Sequence, residues 1–81
     1  MATTEQIHAA LDAGLKDVVG IDFTPELLDL NSEESGVDSL DLIEVVMVME
    51  QELDVTTNQN DFDGVENLRQ VVTVFERLTN A

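Results

Sequence analysis

Apolar residues recur at helical spacing in three stretches of the chain. Ile7, Ala10, Leu11, Leu15 and Val18 stand three or four positions apart, which places them on one face of a helix. Thr3 and Gln6 have the spacing of a capping box, so that helix is predicted to begin near Thr3. Gly20 is placed to end it. A second stretch runs from about Ser39 to Leu53, with Asp38 as its N-cap and Asp41 in the turn where the helix dipole favours negative charge. Leu42, Val45 or Val46, Met49 and Leu53 form its buried stripe. The third runs from about Glu66 to Leu78, with Leu68, Val71, Val72, Phe75 and Leu78 facing inward. Val71 to Phe75 is β-prone, but its flanks continue the helical period. No stretch alternates as a strand would, and the fold class read from the pattern is all-α.

Residues 20 to about 37 read as a long loop, punctuated by Pro25 and Gly36, with a turn at Asn31-Ser32. A short helical turn fits just after Pro25, since proline is well tolerated at a first helical position. Ile21, Phe23, Leu27, Leu28 and Leu30 should pack this loop onto the core. Asp54 to Gly64 is polar, with Phe62 as its anchor, within a short third helix. The expectation is a four-helix bundle with a long first connection and a short third helix, in one domain over residues 1–81. No internal repeat interrupts it.

The second helix is apolar on too many sides. Leu40, Ile43 and Met47 form a second stripe, rotated from the first. A helix apolar all round belongs in the centre of a protein. A chain of 81 residues has a small core, so burying every side is hard. Part of the second stripe is expected at the surface as a docking strip, unless residues 20–37 fold over it. Asp41, Glu44, Glu50 and Glu52 flank it, as a solvated face or as part of that strip.

Charge sharpens this picture. Eighteen acidic residues face three basic ones, Lys16, Arg69 and Arg77, for a net charge of −15. Such a surface repels nucleic acid and anionic membranes and attracts basic patches on other proteins. It also strains the free fold by self-repulsion, so added salt is expected to raise the melting temperature; a steady fall with moderate salt would contradict this. The 43 % hydrophobic content is too high for a disordered acidic tail. The longest apolar run, Val45 to Met49, falls far short of the roughly 20 residues that span a bilayer. The first residues, Met1 to Glu5, have no basic segment followed by an apolar one, so no signal peptide is expected. There is no cysteine, which removes disulfides, thiolate metal sites and thiol nucleophiles. A cytoplasmic monomer is the default expectation.

Few side chains offer chemistry. His8 is the single histidine, and with no nucleophile near it in sequence a surface position is expected. Asp61-Phe62-Asp63-Gly64 has the look of a calcium loop. With Gly64 at the sixth position, however, Gln59 and Gln70 replace the first and last acids, so no metal site is expected. No glycine loop cradles phosphate, and no general base stands by a nucleophile. Ser39 remains. At a helix start it is either a capping residue or a point where a bound anion meets unpaired N–H groups.

Gly36-Val37-Asp38-Ser39-Leu40-Asp41-Leu42-Ile43-Glu44-Val45-Val46-Met47-Val48-Met49-Glu50-Gln51-Glu52-Leu53 resembles the prosthetic-group region of bacterial acyl carrier proteins. In these, Asp-Ser-Leu opens an acidic helix rich in valine and methionine. The resemblance implies an acyl-carrier-like bundle in which Ser39 receives 4′-phosphopantetheine from coenzyme A. A Mg²⁺-dependent phosphopantetheinyl transferase installs it, and the arm's thiol carries acyl groups as thioesters between biosynthetic enzymes. It implies a carrier and not an enzyme. Asp38, Leu40, Asp41, Ile43, Glu44, Met47 and Glu50 would then dock basic partner surfaces, and Val46, Phe62 and Val65 would line an acyl-chain cavity. Many fatty-acid carriers have Ile-Pro and acids after the second helix. Here Val55-Thr56-Thr57-Asn58-Gln59-Asn60 stands instead, with Thr57 in an apolar position that Phe62 is expected to refill. This departure widens the expected load from fatty-acid to polyketide intermediates. An aminoacyl or aryl carrier and an unmodified acidic interaction module remain alternatives.

Overall fold

The computed structural model describes residues 2–80, and no strand occurs among them. Helix α1 spans Thr4–Val18, α2 Ser32–Ser35, α3 Ser39–Leu53 and α4 Leu68–Asn80, with 3₁₀ segments at Pro25–Asp29 and Gln59–Phe62. The all-α expectation holds.

Caps set most of these boundaries. The Thr3 hydroxyl accepts the Gln6 N–H at 3.1 Å while Gln6 Oε1 accepts the Thr3 N–H at 2.8 Å. Gly20 turns left-handed at φ +79° and returns its N–H to the Leu15 carbonyl at 2.8 Å, ending α1.

Residues 20–37 are more ordered than a loop. Asn31-Ser32 opens helix α2 rather than a turn. Asn31 Oδ1 accepts the Glu34 N–H at 2.9 Å and Glu34 Oε1 accepts the Asn31 N–H at 3.2 Å. A single capped turn has no apolar period, which is why the hydrophobic pattern does not reveal it. The expected short third helix is the 3₁₀ segment Gln59–Phe62, tied at its start by Asp61 Oδ2, which accepts the Asn58 N–H at 2.8 Å. The expected start of the last helix at Glu66 is two residues early. Asn67 Oδ1 accepts the Gln70 N–H at 3.0 Å, making Asn67 the cap and Leu68 the first helical residue.

Ile7, Leu11, Leu15, Val45, Met49, Val71 and Phe75 are fully buried and join α1, α3 and α4 in one core. Leu28 and Val37 bring the first connection onto it. Helices α1 and α3 pack tightly at Gly14, where a Cβ would lie 2.9 Å from Val45 Cγ1 and 3.0 Å from the Val45 carbonyl oxygen. Gly14→Ala gains about 1 kcal/mol of helix propensity but overpacks a helix contact at a cost of about 1–3 kcal/mol. A net loss of about 1 kcal/mol is expected, read as a lower urea midpoint with unchanged slope. A higher midpoint would show that the helices separate freely.

Two surface carboxylates, Asp12 and Asp29, tie separate segments together. Asp12 accepts the Phe23 N–H at 2.8 Å and meets Lys16 Nζ at 3.0 Å. Arg69 holds Asp29 through both carboxylate oxygens, at 2.6 and 2.9 Å, joining α4 to the first 3₁₀ segment. The Phe23 N–H, with Lys16, lowers the Asp12 pKa from the usual 3.8, and Arg69 does the same for Asp29. A lowered folded-state pKa stabilises above the unfolded value, and the contribution is lost as pH falls through the folded value. The stability gap between wild type and Asp29→Asn should therefore be steady near neutrality and close in acid. Equal gaps at neutral pH and at pH about 2, below the unfolded carboxylate value, would contradict the pair.

Candidate functional site

The chemistry predicted from the sequence converges on the start of α3. Asp38 Oδ1 accepts the Asp41 N–H at 2.9 Å, and Asp41 Oδ2 receives the Asp38 N–H at 3.5 Å. This reciprocal cap fixes the first turn and makes Asp38 the N-cap, leaving Ser39 as the first helical residue. Ser39 is exposed, and among the described residues nothing hydrogen-bonds its hydroxyl. Ser39 is therefore not the capping residue. The simple structural explanation for a serine here falls away.

Ser39 lines a groove of about 480 Å³ between α2 and the start of α4. Val37, Leu42, Val65 and Leu68 give it apolar walls, and Ser32 and Asn67 give it polar edges. A second groove of about 390 Å³ runs between α3 and the second 3₁₀ segment, past Ile43, Val46, Met47 and Phe62. Leu42 is a wall of both. The expected cavity trio is thus divided: Val46 and Phe62 share the second groove, while Val65 faces the first, beside Ser39. Leu42 is the residue the sequence reading missed. Its place in the buried stripe hid a half-buried position shared by two grooves.

The second stripe of α3 is open. Leu40 is 74 % exposed, Ile43 59 % and Met47 57 %, so residues 20–37 do not cover it. Glu44 is exposed beside it. Asp38 and Asp41 also lie here, though their carboxylates are engaged in the helix cap. Glu50 is half-buried, and its Oε2 accepts the Thr57 N–H at 2.9 Å, anchoring the chain that follows α3. The Thr57 bond is made by its backbone and so does not require threonine, while Phe62 packs its ring on Phe75, centroids 6.1 Å apart. His8 is half-buried rather than fully at the surface, its ring tilted against Phe23 at 5.1 Å.

Residues 9–75 match the family described as a phosphopantetheine attachment site. An acyl carrier protein of Cyanidium caldarium is 28 % identical over 82 residues, covering 99 % of this chain and 95 % of that one. The chain belongs to the acyl carrier protein family. A second relative is the chloroplastic acyl carrier protein 1 of Hordeum vulgare. It is 30 % identical over 57 residues, 70 % of this acyl carrier protein and 38 % of that longer chain. The cofactor of this domain is phosphopantetheine. Acyl carrier proteins are carriers that work with a phosphopantetheinyl transferase and with biosynthetic enzymes. No described helix is long and apolar enough to cross a membrane.

Proposed function

We propose that this acyl carrier protein bears its 4′-phosphopantetheine on Ser39. It then shuttles acyl intermediates of fatty-acid or polyketide biosynthesis between enzymes and catalyses nothing itself. The observation that carries this reading is the Ser39 hydroxyl, exposed on the first turn of α3 while Asp38 does the capping. A phosphodiester there meets the positive end of a 15-residue helix. The adjoining groove suits the group. Its mixed walls match an arm in which amides alternate with methyl and methylene carbons. When bound, the arm supplies a thiol that holds the acyl group as a thioester.

The protein's own residues do the rest. Leu40, Ile43 and Met47 offer the apolar strip that a partner buries, and Glu44, with Asp38 and Asp41 near it, draws in basic surfaces. Leu42 leads from the Ser39 groove to the apolar groove where the acyl chain rests against Val46 and Phe62. We place the protein in the cytoplasm as a single-domain monomer over residues 1–81. The test is intact mass after incubation with coenzyme A, Mg²⁺ and a broad-specificity transferase. One added arm is expected. No addition by any competent transferase would leave an acidic adaptor that uses the α3 strip alone.

A further inference from the structure

We infer that Asp29 and Arg69 form a clasp that holds one wall of the Ser39 groove against the other, and that they thereby position the arm attached there. This rests on the reading of Ser39 as the attachment point. The two walls of the groove are held very differently. On one side Leu68 is buried in the core and Asn67 caps α4. On the other side lie Leu30, Asn31, Ser32 and Ser35. Leu28 and Val37 are buried, but no residue between them is. The side-chain hydrogen bonds within this wall are local: Asn31 pairs with Glu34, and the Val37 N–H donates to the Ser35 hydroxyl. A segment with so few buried apolar contacts opens at low free energy. Among the described residues, one polar contact ties it to a distant element, and that contact is the Asp29–Arg69 pair.

The pair borders the groove. Asp29 precedes Leu30 on one wall, and Arg69 follows Leu68 on the other. It therefore joins the walls directly. Arg69 donates from Nε and from a terminal nitrogen to the two carboxylate oxygens, at 2.6 and 2.9 Å. Two parallel bonds fix orientation as well as distance. The side chains are 56 % exposed for Arg69 and 65 % for Asp29, so water and salt screen the pair. It can hold the wall and also let it go. While it is closed the groove is ready-made, and an arm entering it loses its own freedom without also having to order the wall. Once it opens, the wall swings out and the arm keeps contact with the α4 side alone.

The chain has no cysteine, so Glu33→Cys with Glu66→Cys places one spin label on each wall. Pulsed dipolar spectroscopy of the unloaded protein reads the distance between them. A single narrow distribution is expected with the clasp intact. Arg69→Gln should broaden it toward longer distances, and the exchanged pair, Asp29→Arg with Arg69→Asp, should narrow it again. In the chain without labels, coenzyme A carrying carbon-13 in its pantetheine methyl groups supplies the arm. Nuclear Overhauser effects from those methyls should reach Leu30 and Val65 in wild type. In Arg69→Gln the Leu30 effect should fall severalfold while the Val65 effect persists, and the exchanged pair should restore it. Unchanged label distances in Arg69→Gln, no recovery in the exchanged pair, or a loaded Arg69→Gln that keeps its Leu30 contact overturns the inference. Loss of the Val65 contact together with Leu30 would mark a general loosening and overturn it as well. If wild type takes up no arm, the Ser39 reading fails and the positioning role with it, while the label distances still decide whether the pair holds the wall. Should Arg69→Gln not fold, Asp29→Asn decides by the same two readings.

Discussion

Ser39→Ala is expected to take up no arm at all and to melt at or slightly above the wild-type temperature. Most substitutions that abolish function at a helix start also remove a cap, which costs about 1 kcal/mol. Here the two effects separate. Asp38 accepts the first-turn N–H, and the Ser39 hydroxyl makes no hydrogen bond among the described residues. Alanine at the first helical position gains up to about 0.5 kcal/mol of propensity. In a domain of this size that is a rise of roughly 2–4 °C. Asp38→Ala gives the opposite signature, a loss of about 1 kcal/mol with the hydroxyl still present. Calorimetry and intact mass on the same samples separate the two. A large fall in the Ser39→Ala melting temperature would mean that the serine is structural.

Phe75→Ala is expected to leave the protein largely unfolded at low salt. Truncating a buried phenylalanine costs about 3–5 kcal/mol. The whole stability of an 81-residue chain is roughly 4–12 kcal/mol, and self-repulsion places this one toward the lower end. Loss of the ring pair with Phe62 adds about 0.5–1.5 kcal/mol. Far-ultraviolet circular dichroism should show reduced helix in low salt and partial recovery in molar salt. A melt within a few degrees of wild type would show that the core relaxes around the missing ring.

The sequence revealed the parts of the molecule that rest on periodicity or on a single cap. Helices α1 and α3 follow from apolar spacing bracketed by Thr3, Gly20 and Asp38. The exposed strip follows from a helix with more apolar positions than a small core can take. What escaped the sequence depends on partners outside one period. Helix α2 is a single turn held by Asn31 and Glu34, too short to show a pattern. Apolar spacing does not mark Asn67 as the cap of α4, although the Asn67–Gln70 spacing carries that signal. Val65 stands with Val46 and Phe62 only as what the family resemblance implies for an acyl-chain cavity, and no spacing in the sequence tells the three apart. Only the fold turns Val65 toward Ser39 and the other two toward the second groove. The doubled role of Leu42 has the same cause.

The central claim is about one oxygen. The chain has three serines, and Ser32 and Ser35 line the same groove as Ser39. Tandem fragmentation of the arm-loaded wild-type protein assigns the added mass to a single residue. The account predicts that the fragments break between Asp38 and Leu40 with the whole addition on Ser39. An addition on Ser32 or Ser35, or its absence after treatment with competent transferases, would contradict it.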